Sequence, residues 1–422
     1  MNALLLAAAF CAQYAAAYDP MGVHVDADGV LRSRTTDADP RLAELWKNAK
    51  SRQKDGQLLY ISLPRLFAEA RRIIGEGKPL PDDIRYLGGM TKLQYVFVYP
   101  DDKDVVIAGP AEPIDAKVPY RPLGLVSGRP VLHLDDIVVA LRAFDGKKPD
   151  RIGCDIEITK EIQERISNKI KAVGPTAQVV GFRKVVEQIC EAGGPQPVKV
   201  YGVDPDTRFA FVCVEADYRL KQLALGVYAS PTPKVTSYKS MLTAPEESHR
   251  FSLESNMDAL RVSPDGRAFE LRGSSLKVNG GLLDKPDSKP EDMSTAGKRF
   301  VALCNENWDA LARHLVAWTD LANLADLAVL AALVHGDKLA EKAGWDLAWL
   351  LDAKAWATVK MPATKSAQTQ CAYTSVGGRS IVFVTGGVWF KPVESAARRA
   401  SDEAVAREAA RPAEGWSVGR KK

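Results

Sequence analysis

Acid–base side chains gather at two places in this chain. At His133-Leu134-Asp135-Asp136 an imidazole stands just before a pair of carboxylates. That pattern suits general-base work, with a carboxylate orienting the ring, or a metal role. The same residues open an apolar run at helical spacing. The expected role is therefore capping, with one aspartate at the helix N-terminus and the other complementing its dipole. The second place is Glu215, Asp217, Tyr218 and Lys221. Glu215 and Tyr218 are three apart, Asp217 and Lys221 four apart, so each pair shares a helical turn. Paired carboxylates are the equipment of glycoside hydrolysis. An i,i+4 ion pair on a solvated face is commoner, and is the expectation here. His133, Asp135, Glu215 and Asp217 remain the candidate catalytic residues.

Other candidates are thinner. Cys154 and His133 would make a nucleophile–base pair if the fold joined them, but Ile152 and Ile156 beside the cysteine read as core strand. The turn Asp101-Asp102-Lys103-Asp104 lacks the spaced ligands and closing glutamate of a calcium loop. Glu112, at the end of "YVFVYPDDKDVVIAGPAE", has reactive potential but no partner nearby in sequence. Phosphate-loop, dinucleotide, zincin and nucleophile-elbow motifs are absent. No cofactor and no metal site is expected.

The elements that would position these groups are mixed. "QLLYISL" reads as a strand and Pro64–Ile74 as an amphipathic helix. Tyr95–Tyr99 and the run after the acidic turn form a hairpin whose two faces are both apolar, which places it inside a covered sheet. A helix starts near Asp135, with Ile137, Val138, Leu141 and Phe144 on one face. "RIGCDIEI" is a strand, helices cover about 159–172 and 181–192, and "VKVYGV" is another strand. The stretch from Phe209 to Leu223 fits strand alternation briefly and a helical stripe for longer, so helix is expected, capped by Asp206 or Thr207. From residue 250 antiparallel strands follow, then a polar linker, two helices at about 294–315 and 319–335, and a Gly-Gly hairpin. The second of those helices is very apolar, but Asp320 and Asp326 argue for a buried helix over a membrane span. The expected fold class is α+β (mixed α/β): a sheet with antiparallel hairpins covered by helices, plus a smaller helical C-terminal part.

The domain expectations are a signal peptide at 1–17, a linker at 18–39 and a main domain at 40–285. A helical and hairpin part at 291–390 follows, then a flexible charged tail at 391–422. Ala3–Phe10 leads to Ala15-Ala16-Ala17, a small-x-small cleavage pattern before Tyr18, so export to the periplasm or medium is expected. The n-region carries no Lys or Arg. The net charge is +4, and the tail with eight Lys/Arg against five Asp/Glu holds +3 of it, leaving a nearly neutral body without a nucleic-acid face. Cleavage would leave Cys154, Cys190, Cys213, Cys304 and Cys371, whose scattered spacing suggests neither zinc nor a redox pair and leaves any disulfide pairing open.

Phrases over roughly 57–275 resemble a known group: "GGMTKLQYVFVYPDDKDVVIAGPAE", "GRPVLHLDDIVVALRAF", "IGCDIE", "VYGVDPDTRFAFVCVEADYRLKQLALG" and "DGRAFELRG". They resemble a family of exported proteins of unknown function found in planctomycete bacteria. The resemblance implies export and carries over no functional residue. In that family Ser-Ile-Asp-Pro often follows the cysteine, whereas Asp-Ile-Glu-Ile follows Cys154 here. The expected function is a non-catalytic envelope protein that binds an unknown partner protein or polymer, with no nucleic acid and no transmembrane helix in the mature chain. The alternative is a periplasmic hydrolase acting on glycan or peptide through clustered carboxylates.

Overall fold

The computed structural model describes residues 23–33, 58–116, 120–146, 149–173, 181–243, 249–283, 285, 288–374, 380–405, 412 and 415–418. The expected signal at 1–17 and the expected helix from Asp39 lie outside the described residues. So does the tip of the Gly-Gly hairpin.

Five short strands come early: β1 (Val23–Val25), β2 (Val30–Ser33), β3 (Leu58–Ser62), β4 (Tyr95–Tyr99) and β5 (Asp104–Pro110). Between β3 and β4 runs α1 (Leu63–Gly75), whose N-cap Ser62 accepts from the Arg65 amide. After the small ribbon β6 (Ile114–Asp115) and β7 (Leu123–Gly124) come α2 (Leu134–Ala143) and β8 (Ile152–Ile156). Helices α3 (Lys160–Val173) and α4 (Phe182–Gly193) lead to β9 (Pro195–Tyr201) and the long α5 (Arg208–Leu225). Next are β10 (His249–Ser255), β11 (Leu260–Val262), β12 (Ala268–Leu271) and β13 (Leu276–Leu282). The helices α6 (Thr295–Glu306), α7 (Trp308–His314) and α8 (Val316–Gly336) follow. The chain closes with β14 (Ser366–Gln368), β15 (Ala372–Thr374), β16 (Ser380–Val382), β17 (Val384–Phe390), α9 (Pro392–Ala397), β18 (Ala400–Ser401) and β19 (Ser417–Val418).

Two large sheets result. One has the order β1-β2-β14-β9-β8-β17-β10-β13, the other β18-β11-β12-β4-β5-β3-β19. Antiparallel pairing dominates, and β2–β14, β10–β17 and β11–β18 are parallel. With helices over both sheets, the α+β expectation is met. The β4–β5 hairpin sits inside its sheet, between β12 and β3. Val96, Val98, Val105 and Ile107 point into the main core, while Phe97, Val106 and Ala108 form a second cluster with Val405 on the other face. Period-two alternation with both faces apolar is thus satisfied by two separate cores. At the open end of the hairpin position 109 has to be glycine, because the Lys92 carbonyl stands 1.9 Å from where a β-carbon would be.

Three expectations are corrected. Residues 23–33, placed in a linker, form a hairpin on the edge of the eight-stranded sheet; Val23 and Leu31 are buried around a turn in which Asp26 accepts from the Val30 amide. The strands after residue 250 belong to both sheets, and β17 from the C-terminal part lies between β8 and β10. The expected boundary at 285–291 is therefore crossed by one sheet and one core cluster. From Lys391 onward the chain is no free tail where it is described. Pro392 starts α9 against α8, β18 pairs with β11, and β19 pairs with β3 at the opposite edge. Charge along these segments is met by partners, as in Arg399 with Asp337 and Arg272 with Asp402.

Helix α8 has the length and composition of a membrane span, yet 94% of its apolar window is buried inside the fold. It packs on α2, α5, α7 and α9.

Candidate functional site

Helix α5 forms because Thr207 caps it, accepting from the Ala210 amide at 3.2 Å, and because Gly226 ends it in the left-handed conformation. It lies against β8, β10 and β17 on one side and α8 on the other, so all its residues are buried, charged ones included. This corrects the expected solvated face. Glu215, Asp217 and Lys221 sit in the interior and need partners there.

Two separate ionic sites supply them. In the first, Arg121 donates through Nη2 to Glu215 at 2.7 Å and through Nε to Asp320 at 2.9 Å. Arg208 donates to both oxygens of Asp320 at 2.6 Å and also bonds Asp136. Three carboxylates and two guanidinium groups thus meet, all buried, from the loop before β7, α2, α5 and α8. Burial drives Asp136 up to about 7 against the pull of Arg208. In the second site Lys221 bonds Asp217 one turn away, and burial raises the Asp217 pKa against that lysine. The pair lies near Cys154, whose thiol burial pushes far up, with Asp217 adding to the shift. A buried thiol so hard to ionise is no nucleophile, and the Cys154–His133 pairing receives no support.

The capping expectation at α2 also fails. His133 is the N-cap and its side chain makes no cap bond. Asp135 instead accepts from the Trp356 indole at 3.0 Å and the Val359 amide at 2.9 Å, which pins the segment 353–360 to α2. Asp136 belongs to the buried cluster. His133 stacks edge-on to Tyr86, and burial together with Arg208, Arg121 and Arg85 holds its pKa well below the usual imidazole range. The ring is neutral at physiological pH.

Above these residues opens a groove of about 1390 Å³. Its walls are the end of α1, Leu80, α2, the end of β9 with the loop to Asp204, and the segment 353–360. Ile74, Leu80, Val139, Val203 and Trp356 make it largely apolar, and a small chamber of about 30 Å³ borders it, sharing Arg85, Asp135, Val139, Thr207, Thr358 and Val359. Arg142 donates to the carbonyls of Leu350, Asp352 and Trp356, so it too fastens the segment 353–360. Arg85 reaches the Leu80 carbonyl, Lys360 pairs with Asp206 at 2.8 Å, and Arg151 lies 3.8 Å from the Tyr201 ring and 3.7 Å from Asp155. The lining holds Arg85, Arg142, Arg151, Lys354 and Lys360 against Asp135, Asp150 and Asp204; adding the bonded Asp155 and Asp206 balances five cations with five carboxylates.

Of the four candidates, the fold brings His133 and Asp135 to the groove and its chamber, and places Glu215 in the cluster behind and Asp217 in a different ion pair. Arg121, Arg208 and Asp320 are the residues sequence reasoning missed. Their separations, up to 199 positions, follow no pattern, and the one available signal was an aspartate in the most apolar helix. Glu112, which had no partner in sequence, accepts from the Val126 and Ser127 amides at 2.6 and 2.8 Å and from the Ser127 hydroxyl; it fastens a loop. Among the described residues no group of three or more His, Cys, Asp or Glu is placed to hold a metal ion.

No curated protein and no solved structure matches the chain. A family match does exist, and it covers most of β8, α3, α4, β9 and α5, hence one groove wall, the α5 members of the first ionic site and the whole of the second. The matching family model, over residues 154–238, is that of a protein of unknown function (DUF1598).

Proposed function

We propose that the protein is a non-catalytic binding protein of the cell envelope whose groove holds a segment of an uncharged polymer. The observation that carries this reading is the groove itself: large, mostly apolar, with Arg151 and Lys360 paired to neighbouring carboxylates and Arg85, Arg142 and Asp135 hydrogen-bonded within the protein. Concave apolar sites with a small set of placed polar groups are where ligands bind. At about 1390 Å³ this one exceeds the usual small-molecule volume. Charge balance along the walls argues for a neutral occupant, because five cations and five carboxylates leave no net charge there to favour an ion of either sign.

Export is supported by the apolar start and small-x-small pattern before Tyr18. It is also supported by the Cys190–Cys371 disulfide, which joins α4 to the residue before β15 across 181 residues. Such bonds persist in oxidising compartments. Replacing Cys371 by Ser is expected to cost about 2–4 kcal/mol of stability, read as a lower urea midpoint.

The hydrolase alternative has less support. Its carboxylates Glu215 and Asp217 are each held by a cation and sealed from the groove, and Asp135 already accepts two hydrogen bonds. The test is calorimetric titration of the full chain with neutral oligosaccharides, namely the hexamers of cellulose and chitin, beside the variant Ala357→Trp. Ala357 is exposed on the groove wall, so the indole intrudes on the path of a bound chain and leaves the fold alone. Saturable binding lost in the variant is expected. Binding that the variant leaves unchanged contradicts the reading.

A further inference from the structure

We propose that the small chamber beside the groove receives one hydroxyl group of the bound polymer, with Nε2 of His133 as the hydrogen-bond acceptor, which makes the polymer a glycan. This rests on the groove reading above and deepens it.

His133 is 6% exposed, and its Nε2 has no hydrogen-bond partner among the described residues. A buried polar atom left unpaired weakens a fold, and a ligand group that pairs it recovers that loss on binding. The ring lines the chamber together with Tyr86, Tyr120, Asp136, Arg208 and Thr358. A volume of about 30 Å³ admits one group the size of a water molecule.

Charge then decides which group. Burial, with Arg208, Arg121 and Arg85 around it, keeps the imidazole neutral, so one ring nitrogen carries a lone pair. An ammonium group would face those same three cations. A carboxylate or phosphate is too large for the chamber. It would also join a cluster in which three carboxylates already stand against two guanidinium groups. A hydroxyl is small and neutral, and it can donate to the imidazole while turning its lone pairs toward Arg208. A glycan presents hydroxyls along its whole length, whereas a polypeptide does so only at scattered side chains.

The probe is the chitin hexamer titrated into the full chain. His133→Phe keeps the ring shape and removes the acceptor, so affinity should fall about tenfold with an unchanged circular dichroism spectrum. In the unmodified protein the ¹⁵N resonance of His133 Nε2 should move on saturation, a readout that needs no variant. If Ala357→Trp abolishes binding while His133→Phe stays within about twofold and the resonance does not move, the chamber assignment falls and the groove reading stands. If the unmodified chain binds neither hexamer, the glycan assignment falls. Should it then bind a mixed peptide pool that Ala357→Trp excludes, the groove alone survives.

Discussion

Helix α5 carries two buried ionic sites with opposite architectures. Arg208 and Glu215 join a five-member network that ties the helix to α2, α8 and the loop before β7. Among the described residues Asp217 and Lys221 pair only within their own helix. Both are shut from water, so both lose hydration, yet only the network returns structural connections for it. The network also borders the chamber through Asp136 and Arg208. Buried ion pairs are weak stabilisers on their own and costly when one partner is removed. The difference therefore assigns the network to positioning the groove and the pair to local neutralisation.

The largest expected effect is at the network. Arg121→Met leaves Glu215 and part of Asp320 charged and unpaired in the interior, which should cost about 3–5 kcal/mol in urea unfolding. Lys221→Met alone should cost about 3 kcal/mol, but adding Asp217→Leu should return stability to within about 1 kcal/mol of the parent or above it. If the double change stays as damaging as the single one, the pair is as structural as the network and the comparison collapses.

A pH experiment sharpens it further. Burial holds Asp136 at about 7 and Asp326 at about 6, both above the ordinary 3.8. Raised carboxylate values mean that the folded state binds protons more tightly than the unfolded chain. Their contribution to stability is complete below the unfolded pKa of about 4 and is lost as pH rises through 6 and then 7. The urea midpoint should therefore fall across that window. Among the described residues Asp326 has one hydrogen-bonding neighbour, Ser275, and no part in the network. Asp326→Asn should remove its share of the fall between about 4 and 6, amounting to about 1–3 kcal/mol, and leave the Asp136 share, which continues up to about 7. An unchanged profile would contradict the burial argument. The smallest effect is Ala357→Trp, which should leave stability within about 0.5 kcal/mol because its site is open surface.

Elements with one dominant period were legible in the sequence. Tyr95–Pro110 shows alternation on both faces, and Phe209–Leu223 shows a stripe too long for a strand; each folds as read. What sequence alone concealed was burial of charge. Asp217 and Lys221 have the spacing of a surface pair, and nothing local says that sheet and helix close over them. The network is harder still, since its members come from positions 121, 136, 208, 215 and 320 and each looks ordinary in its own segment. His133 and Asp135 were visible as a chemical pair, but Asp135 takes its role from Trp356 and Val359, more than two hundred residues later in the chain, and His133 from Tyr86 and the buried arginines.

The central claim is a charge-balanced groove that takes a neutral chain. It is tested most directly by the salt dependence of chitin-hexamer affinity between about 50 and 500 mM salt, a range over which exposed charges are progressively screened. A dissociation constant that stays constant within about twofold is the predicted result. A steep loss of affinity with salt would mean that free charge on the walls does the binding, and would contradict the account.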